Sequence, residues 1–328
     1  MLLEVILFIV GLVFLIFGGN WFVDGAVGLA KKFHMPEILI GATVVAIGTT
    51  LPEVMVSVTG AVSGHGDIAY GNAIGSIICN TALISAITIA VRPGKVDRKN
   101  LKLPTLFFFI AAAIYVVVSY TTKYFSRWLG IVLLVLFVVY LFVNIKQSLK
   151  PGASPEVQVE TEKEPQKEEK PMPVWKSIIL LVIGAVLIAV GADLLVDNGT
   201  LIAEGLGVPE TVIALTFVAL GTSLPELVTA ISALIKGHSA LSLGNVIGAN
   251  VFNLVLVCGL SITIAPFELP SDKLLLGINS SLLVDLPLMV IVMLILAVPA
   301  LAKGRLYRAQ GIALLALYAG FCVYQFAF

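Results

Sequence analysis

The chain has 328 residues, 59% of them hydrophobic and 12% charged, with a formal net charge of zero. Soluble domains carry about 25% charged residues, so a water-soluble globular fold is excluded. The charge balance offers no footing for nucleic acid as a partner.

Charges, glycines and prolines divide the sequence into ten apolar spans, at about 2–30, 37–62, 68–91, 103–121, 127–146, 174–203, 209–235, 241–265, 274–300 and 308–327. Most are long enough to cross a hydrocarbon core as helices. They lack the alternating polarity of barrel strands, so the expected fold is an all-α polytopic membrane protein. The first span has neither a basic leader nor a small-residue cleavage site and reads as a retained helix. Cys79, Cys258 and Cys322 all fall inside apolar runs and have no metal-binding or disulfide spacing. They read as small packing residues.

Between the fifth and sixth spans lies Lys150–Pro173, "KPGASPEVQVETEKEPQKEEKPMP". It has almost nothing to bury and reads as a solvated, disordered linker. The chain divides into a first five-helix half (1–146), the linker (147–173) and a second five-helix half (174–328). When the loops are numbered in order, the odd-numbered ones, including the linker, hold 17 of the 20 Lys and Arg residues. The other side has only Lys123, Arg127 and Lys273. The positive-inside rule then places the linker in the cytoplasm and both termini outside a cell membrane.

The halves are copies. Residues 18–93 align with 191–266 at a constant offset of 173, with about 25 of 76 positions identical. "GTTLPE" (Gly48–Glu53) falls on "GTSLPE" (Gly221–Glu226). "GNAIG" (Gly71–Gly75) falls on "GNVIG" (Gly244–Gly248), Asn80 on Asn253, and Asp24 on Asp197. Unrelated apolar helices would share Leu, Val and Ile, not Pro-Glu and Gly-Asn in register. Each half has an odd number of spans, so corresponding helices run in opposite directions. This is the inverted-topology repeat of secondary transporters, whose ion sites lie at the midplane where interrupted helices meet.

Glu53 and Glu226 stand inside such spans, and no basic residue lies near the middle of any span. A buried intramembrane carboxylate is functional by default, and its partner here is a proton or a cation. The alternative, a structural hydrogen bond to a neighbouring helix, leaves the duplication unexplained. Glycine and proline are expected to loosen the helix at each copy and free the carbonyls around Ala46 and Ala219. The neighbouring groups are oxygen donors: the hydroxyls of Thr49, Thr50, Thr222 and Ser223, and the amides of Asn80 and Asn253. An oxygen cage suits a hard cation such as Ca²⁺. The lack of His and Cys beside the glutamates argues against zinc, copper or nickel. Two carboxylates balance one Ca²⁺ and need protons or monovalent cations when it leaves, an arithmetic that points to exchange.

Ser76 and Asn80 are four apart and share a helix face. Gly71 and Gly75 form a small-residue face expected to admit the glutamate-bearing helix. In the second copy Ala249 replaces Ser76, so one hydroxyl is missing. Asn72 and Asn245 read as supporting or packing residues, and Asp24 and Asp197 as structural or vestibule residues. Gly64-His65-Gly66-Asp67 fits a G-x-G-D protease pattern, but Asp67 is expected in a loop and its repeat partner is Ala240. The aspartate pair which that chemistry requires is missing.

The paired "GT[TS]LPE" and "GN-x-IG-[SA]-x-x-x-N" segments resemble the α-repeats of the Na⁺/Ca²⁺ exchanger branch of the Ca²⁺/cation antiporter superfamily, nearest its prokaryotic members. The resemblance implies ten helices with helices 2, 3, 7 and 8 around the ions, and long helices 1 and 6 that slide past them. It implies Glu53, Glu226, Thr49 and Thr222 as Ca²⁺ ligands. Thr50, Ser223, Ser76, Asn80, Asn253 and the Ala46 and Ala219 carbonyls would complete Na⁺ or water coordination. Many relatives have serine where Ala249 stands, so this position bears on stoichiometry. Relatives that also move K⁺ carry an extra acidic residue in this region, where this chain has Asn80 and Asn253. The resulting expectation is a Ca²⁺/Na⁺ antiporter and not an enzyme, sufficient as a monomer and without a resident cofactor. The residues leave H⁺/Ca²⁺ exchange through the same glutamates open, since burial raises carboxylate pKa values.

Overall fold

In the computed structural model, residues 2–33, 35–148, 172–206, 221–271 and 274–327 are described. Among these residues ten helices follow one another: α1 (Leu2–Phe33), α2 (Ile38–Val62), α3 (Gly66–Val91), α4 (Arg98–Thr121), α5 (Arg127–Ser148), α6 (Val174–Gly205), α7 (Leu224–Ile235), α8 (Ser239–Ile264), α9 (Ser281–Lys303) and α10 (Arg308–Ala327). Eight of the described helices are long and apolar enough to cross a membrane, and α7 is a shorter apolar helix. The seventh expected span is described only from Gly221 onward, and the linker from Lys150 to Pro171 lies outside the described residues.

Two starts differ from the sequence reading. The ninth span does not begin at 274. Leu274–Leu275 and Ile278–Asn279 pair as a hairpin, and the helix starts at Ser281. Leu276 and Gly277 at its tip have φ of 53° and 76°, the left-handed pair that a two-residue hairpin turn requires. Asp67 is not in a loop but in the first turn of α3, where a carboxylate suits the helix dipole.

Short strands join the halves across each face. β1 (Gly94–Lys95), after α3, pairs antiparallel with β6 (Arg305–Leu306), after α9. β2 (Tyr124–Phe125), after α4, pairs with β3 (Phe267–Glu268), after α8. Gly94 and Phe267 are equivalent at the offset of 173, so one joint is made twice. Loops 3 and 9 share one face, and loops 4 and 8 share another.

Burial sorts the helices. In α2, α3 and α8, between 61% and 78% of the apolar window is buried, against 22–28% in α1, α5 and α6. The helices carrying the duplicated motifs are therefore the interior ones, and the outer helices present apolar side chains to lipid. The main core packs Tyr70, Phe108, Tyr115, Phe125, Tyr140 and Phe252 between the halves.

α1 and α6 lie against each other along a seam of small residues. Gly11, Gly18 and Gly25 recur every seven positions, as do Ser177, Gly184 and Gly191. A Cβ at Gly11 would sit 2.9 Å from the Gly191 carbonyl oxygen. One at Gly18 would sit 3.0 Å from the Gly184 oxygen, and one at Gly25 would sit 2.6 Å from the Ser177 oxygen. Without a hydrophobic drive between helices in lipid, such close backbone approach is what holds two helices together.

Candidate ion-binding site

Interrupted helices mark the interior. In α2 a π-helical turn spans Gly41–Val45, immediately before Ala46. In α3 one spans Asn80–Ser85, and in α8 one spans Asn253–Val257. Asn80 and Asn253, equivalent in the repeat, thus each open a π turn. Such turns displace one residue of the i→i−4 ladder and recur at functional sites. The carbonyls loosened around the first turn find side-chain donors: Tyr140 on α5 donates to the Ala42 oxygen at 2.9 Å, and Thr43 to the Leu39 oxygen at 2.7 Å.

The expectation that Gly48 and Pro52 loosen the first copy is therefore corrected. The chain is α-helical from Ala46 through Pro52 to Val62, and the opening lies upstream. Pro52, inside that helix, removes the N–H that would serve the Gly48 carbonyl and crowds that carbonyl with its ring. In the second copy the expectation matches what is described: Thr222 and Ser223 form a turn, and the helix restarts at Leu224 with Pro225 and Glu226 in its first turn. Gly48 and Gly221 instead provide clearance. A Cβ at Gly48 would lie 3.0 Å from the Phe22 ring of α1, and one at Gly221 would lie 3.0 Å from Val196 of α6. Each long helix covers one copy of the motif.

The expected small-residue face also behaves unequally. In the second half, Gly244 presses on the Ile38 backbone and Gly248 on the Ala42 backbone, where a Cβ would lie 2.5 Å from the Ala42 Cα. The face thus receives α2 of the opposite half, not the glutamate helix of its own. Gly71 and Gly75 have no neighbour of this kind among the described residues. Their equivalent partners, residues 211 and 215, lie outside that set.

Glu53 and Glu226 are fully buried. They come from opposite halves, on α2 and α7, which pack against each other. The hydroxyls of Thr49 and Thr50 stand beside the Glu226 carboxylate, and Ser223, three residues before Glu226, is in contact with Cys79. Thr49, Thr50, Ser76, Asn80, Ser223, Asn253 and Ala46 are all buried, and Thr222 is half-buried. Ala219 lies outside the described residues. The π turn at Asn80 packs against α7 and α8 of the second half, and the one at Asn253 packs against α2 and α3 of the first. The site is made jointly by both halves.

Among the described residues, several buried polar atoms have no protein hydrogen-bond partner: both oxygens of Glu53 and of Glu226, the Thr50 hydroxyl, and both amide atoms of Asn80 and of Asn253. Burying a carboxylate without compensation costs several kcal/mol, and native proteins rarely leave buried polar groups unpaired. A cluster dominated by anionic and neutral oxygens fits a hard cation as the compensating group.

Sequence reasoning gave Asn72 and Asn245 supporting roles without specifying their contacts. Asn72 donates to the Glu53 carbonyl at 3.1 Å and to Ser57 at 2.8 Å, bracing the glutamate helix within its own half. Asn245 crosses the halves and accepts from the Thr49 hydroxyl at 3.3 Å. Two residues went unnoticed: Asn250 donates to Thr81 at 2.7 Å and to the Met293 sulfur at 3.3 Å, tying α3, α8 and α9 together. Their repeat equivalents, Ile77 and Leu254, are apolar, so no duplicated pattern pointed to them.

Two interrupted half-bundles that meet at a carboxylate and amide cage define an ion-translocating membrane protein of the inverted-repeat class. Residues 3–146 and 176–327 match the family model for "Sodium/calcium exchanger protein", and the chain belongs to that family. It is 30% identical to sodium/calcium exchanger MaX1 of Methanosarcina acetivorans, over 98% of each chain. It is 33% identical to the putative antiporter CaxA of Alkalimonas amylolytica, over 99% of this chain and 98% of that one. Among solved structures it is similar to the sodium-calcium exchanger NCX_Mj soaked with Na⁺ and Sr²⁺, with a TM-score of 0.79, 34% identity and 97% coverage of both chains.

Proposed function

We propose that this protein exchanges Ca²⁺ for Na⁺ across a cell membrane by alternating access. In this reading Glu53 and Glu226 are the central ligands of Ca²⁺. Thr49, Thr222, Thr50, Ser223, Ser76, Asn80, Asn253 and the Ala46 and Ala219 carbonyls serve Ca²⁺, Na⁺ or water around them. The observation that carries the proposal is the pair of buried carboxylates without protein partners, one from each half, on two helices that pack together. The exchanger names of MaX1 and NCX_Mj support the same cargo. Two five-helix halves, 1–146 and 174–328, would invert about the site, with the linker and the basic loops on the cytoplasmic side and both termini outside.

Proteoliposomes loaded with Na⁺ and diluted into Na⁺-free buffer should accumulate ⁴⁵Ca²⁺ in proportion to the outward gradient. Calcium uptake that ignores Na⁺ and follows a pH jump would replace Na⁺ by H⁺ as the counter-ion. Flux without any counter-gradient would remove exchange altogether.

Ala249 makes the two half-sites unequal. It is fully buried where Ser76 supplies a hydroxyl in the first half. Ala249→Ser should lower the Na⁺ concentration for half-maximal exchange by about two- to tenfold, the worth of one added hydroxyl ligand. Sodium titration of uptake, together with the charge moved per Ca²⁺, reads the effect. An unchanged titration and unchanged charge would detach position 249 from Na⁺ binding.

A further inference from the structure

Lys236 follows the last turn of α7, the helix that carries Glu226. Its ammonium group lies 2.6 Å from the Asp24 carboxylate of α1 and donates to the Asn20 carbonyl at 2.8 Å. The pair is only partly exposed, with side-chain exposures of 24% for Lys236 and 48% for Asp24. One turn away on the same faces, Gly19 of α1 meets Ser232 and Val228 of α7. A Cβ there would fall 2.5 Å from the Ser232 hydroxyl. Gly19, Asn20 and Asp24 therefore make one continuous contact with Val228, Ser232 and Lys236, which are four residues apart along α7.

The inverted copy lacks this contact. At the offset of 173, Asp24 becomes Asp197, Asn20 becomes Asp193 and Gly19 becomes Ala192, while Lys236 corresponds to Ser63. The first set of positions puts an acid opposite a base, and the equivalent set holds two acids and no base. A central site that opens alternately to each side needs one packed group to move against another. The α1–α6 pair, sealed along its glycine seam and lightly buried, touches the motif helices, and among the described residues Asp24–Lys236 is a charged contact between them.

We propose that Asp24 and Lys236 are positioning residues that latch α1 to α7 on the loop 7 face, and that this one-sided latch biases the exchanger toward the state closed on that face. The inference rests on the exchange reading above for its consequence, but the latch itself can be tested without transport. Neither residue belongs to the proposed ion site.

The test uses full-length Asp24→Asn, Lys236→Met and the charge swap Asp24→Lys/Lys236→Asp. In Na⁺-free, Ca²⁺-free buffer, amide hydrogen exchange over residues 20–33 and 224–236 should quicken in each single variant and return toward wild type in the swap. In oriented vesicles, each single variant should lower the half-saturating ion concentration at the loop 7 face by about two- to fivefold relative to the opposite face. That is the range for a partly exposed ion pair, and its sign follows because the competent fraction on that face rises. Singles that quicken exchange in both segments, with rescue by the swap, support the latch even if no Na⁺/Ca²⁺ exchange is found. Wild-type exchange in all variants, or a swap no better than the singles, overturns it. Slower transport without a change in the ratio between faces assigns the pair a merely structural role and also overturns it.

Discussion

Glu53→Gln and Glu226→Gln should each abolish calcium uptake while leaving the protein folded. Glutamine keeps the shape and one acceptor oxygen but removes the charge. Both carboxylates are fully buried, with no protein donor to either oxygen among the described residues, so the missing charge is not replaced from nearby. Breaking a buried charge pair from one side costs about 3–5 kcal/mol, or roughly 10²- to 10⁴-fold in Ca²⁺ affinity. The apoprotein should respond with the opposite sign. Without a cation, two buried carboxylates that repel each other burden the fold, and one amide relieves them. Thermal unfolding in Ca²⁺-free detergent should therefore start higher for either variant than for wild type. At a calcium concentration a hundredfold above the wild-type Kd, linkage adds about 2.7 kcal/mol to wild-type stability, and the variants should gain almost none. Uptake at wild-type rates in either variant would remove the glutamates from the site.

Part of this site can be read directly from the sequence. A carboxylate, a proline and hydroxyls placed twice in register within apolar spans carry their own signal, because lipid penalises them and chance does not duplicate them. The burial of Glu53, Glu226, Asn80 and Asn253 follows from that logic. The π turns do not, since nothing in "NTALIS" or "NLVLV" distinguishes a wider turn from an α-helix. Asn at both positions becomes informative only once the backbone is seen to widen there. The ninth span was placed too early because "LLLGI" is as apolar as a helix, and its turn is set by two backbone angles that composition does not encode. Long-range pairs were the least legible. Asp24 and Lys236 are 212 positions apart, and Thr49 and Asn245 are 196 apart. Each looked like an ordinary loop, helix or motif residue until the halves were packed together. Gly48 was misread for a related reason: its backbone is regular, and its lack of a side chain serves the Phe22 ring of another helix.

A second large effect is expected where no ion is involved. Gly184→Ala should destabilise the protein sharply. An added Cβ would lie 2.5 Å from the Phe22 nitrogen, 2.8 Å from the Gly18 oxygen and 2.8 Å from the Phe22 Cα. All three are backbone atoms of α1 and cannot turn aside as the tip of a side chain can, so the α1 and α6 backbones must separate at this crossing. Overpacking a close interface costs about 1–3 kcal/mol when neighbours can adjust, and here they are least able to. Helix propensity pulls the other way, favouring alanine over glycine by about 0.8–1 kcal/mol, so a net loss can only come from the seam. Gly320→Ala in α10 isolates that term: a Cβ there has no described neighbour within 4 Å, and its thermal midpoint should stay level or rise. The same substitution in two helices should thus move stability in opposite directions. If the midpoint of Gly184→Ala rises with that of Gly320→Ala, the α1–α6 seam is loose enough to admit a methyl group, and the two helices do not behave as one body.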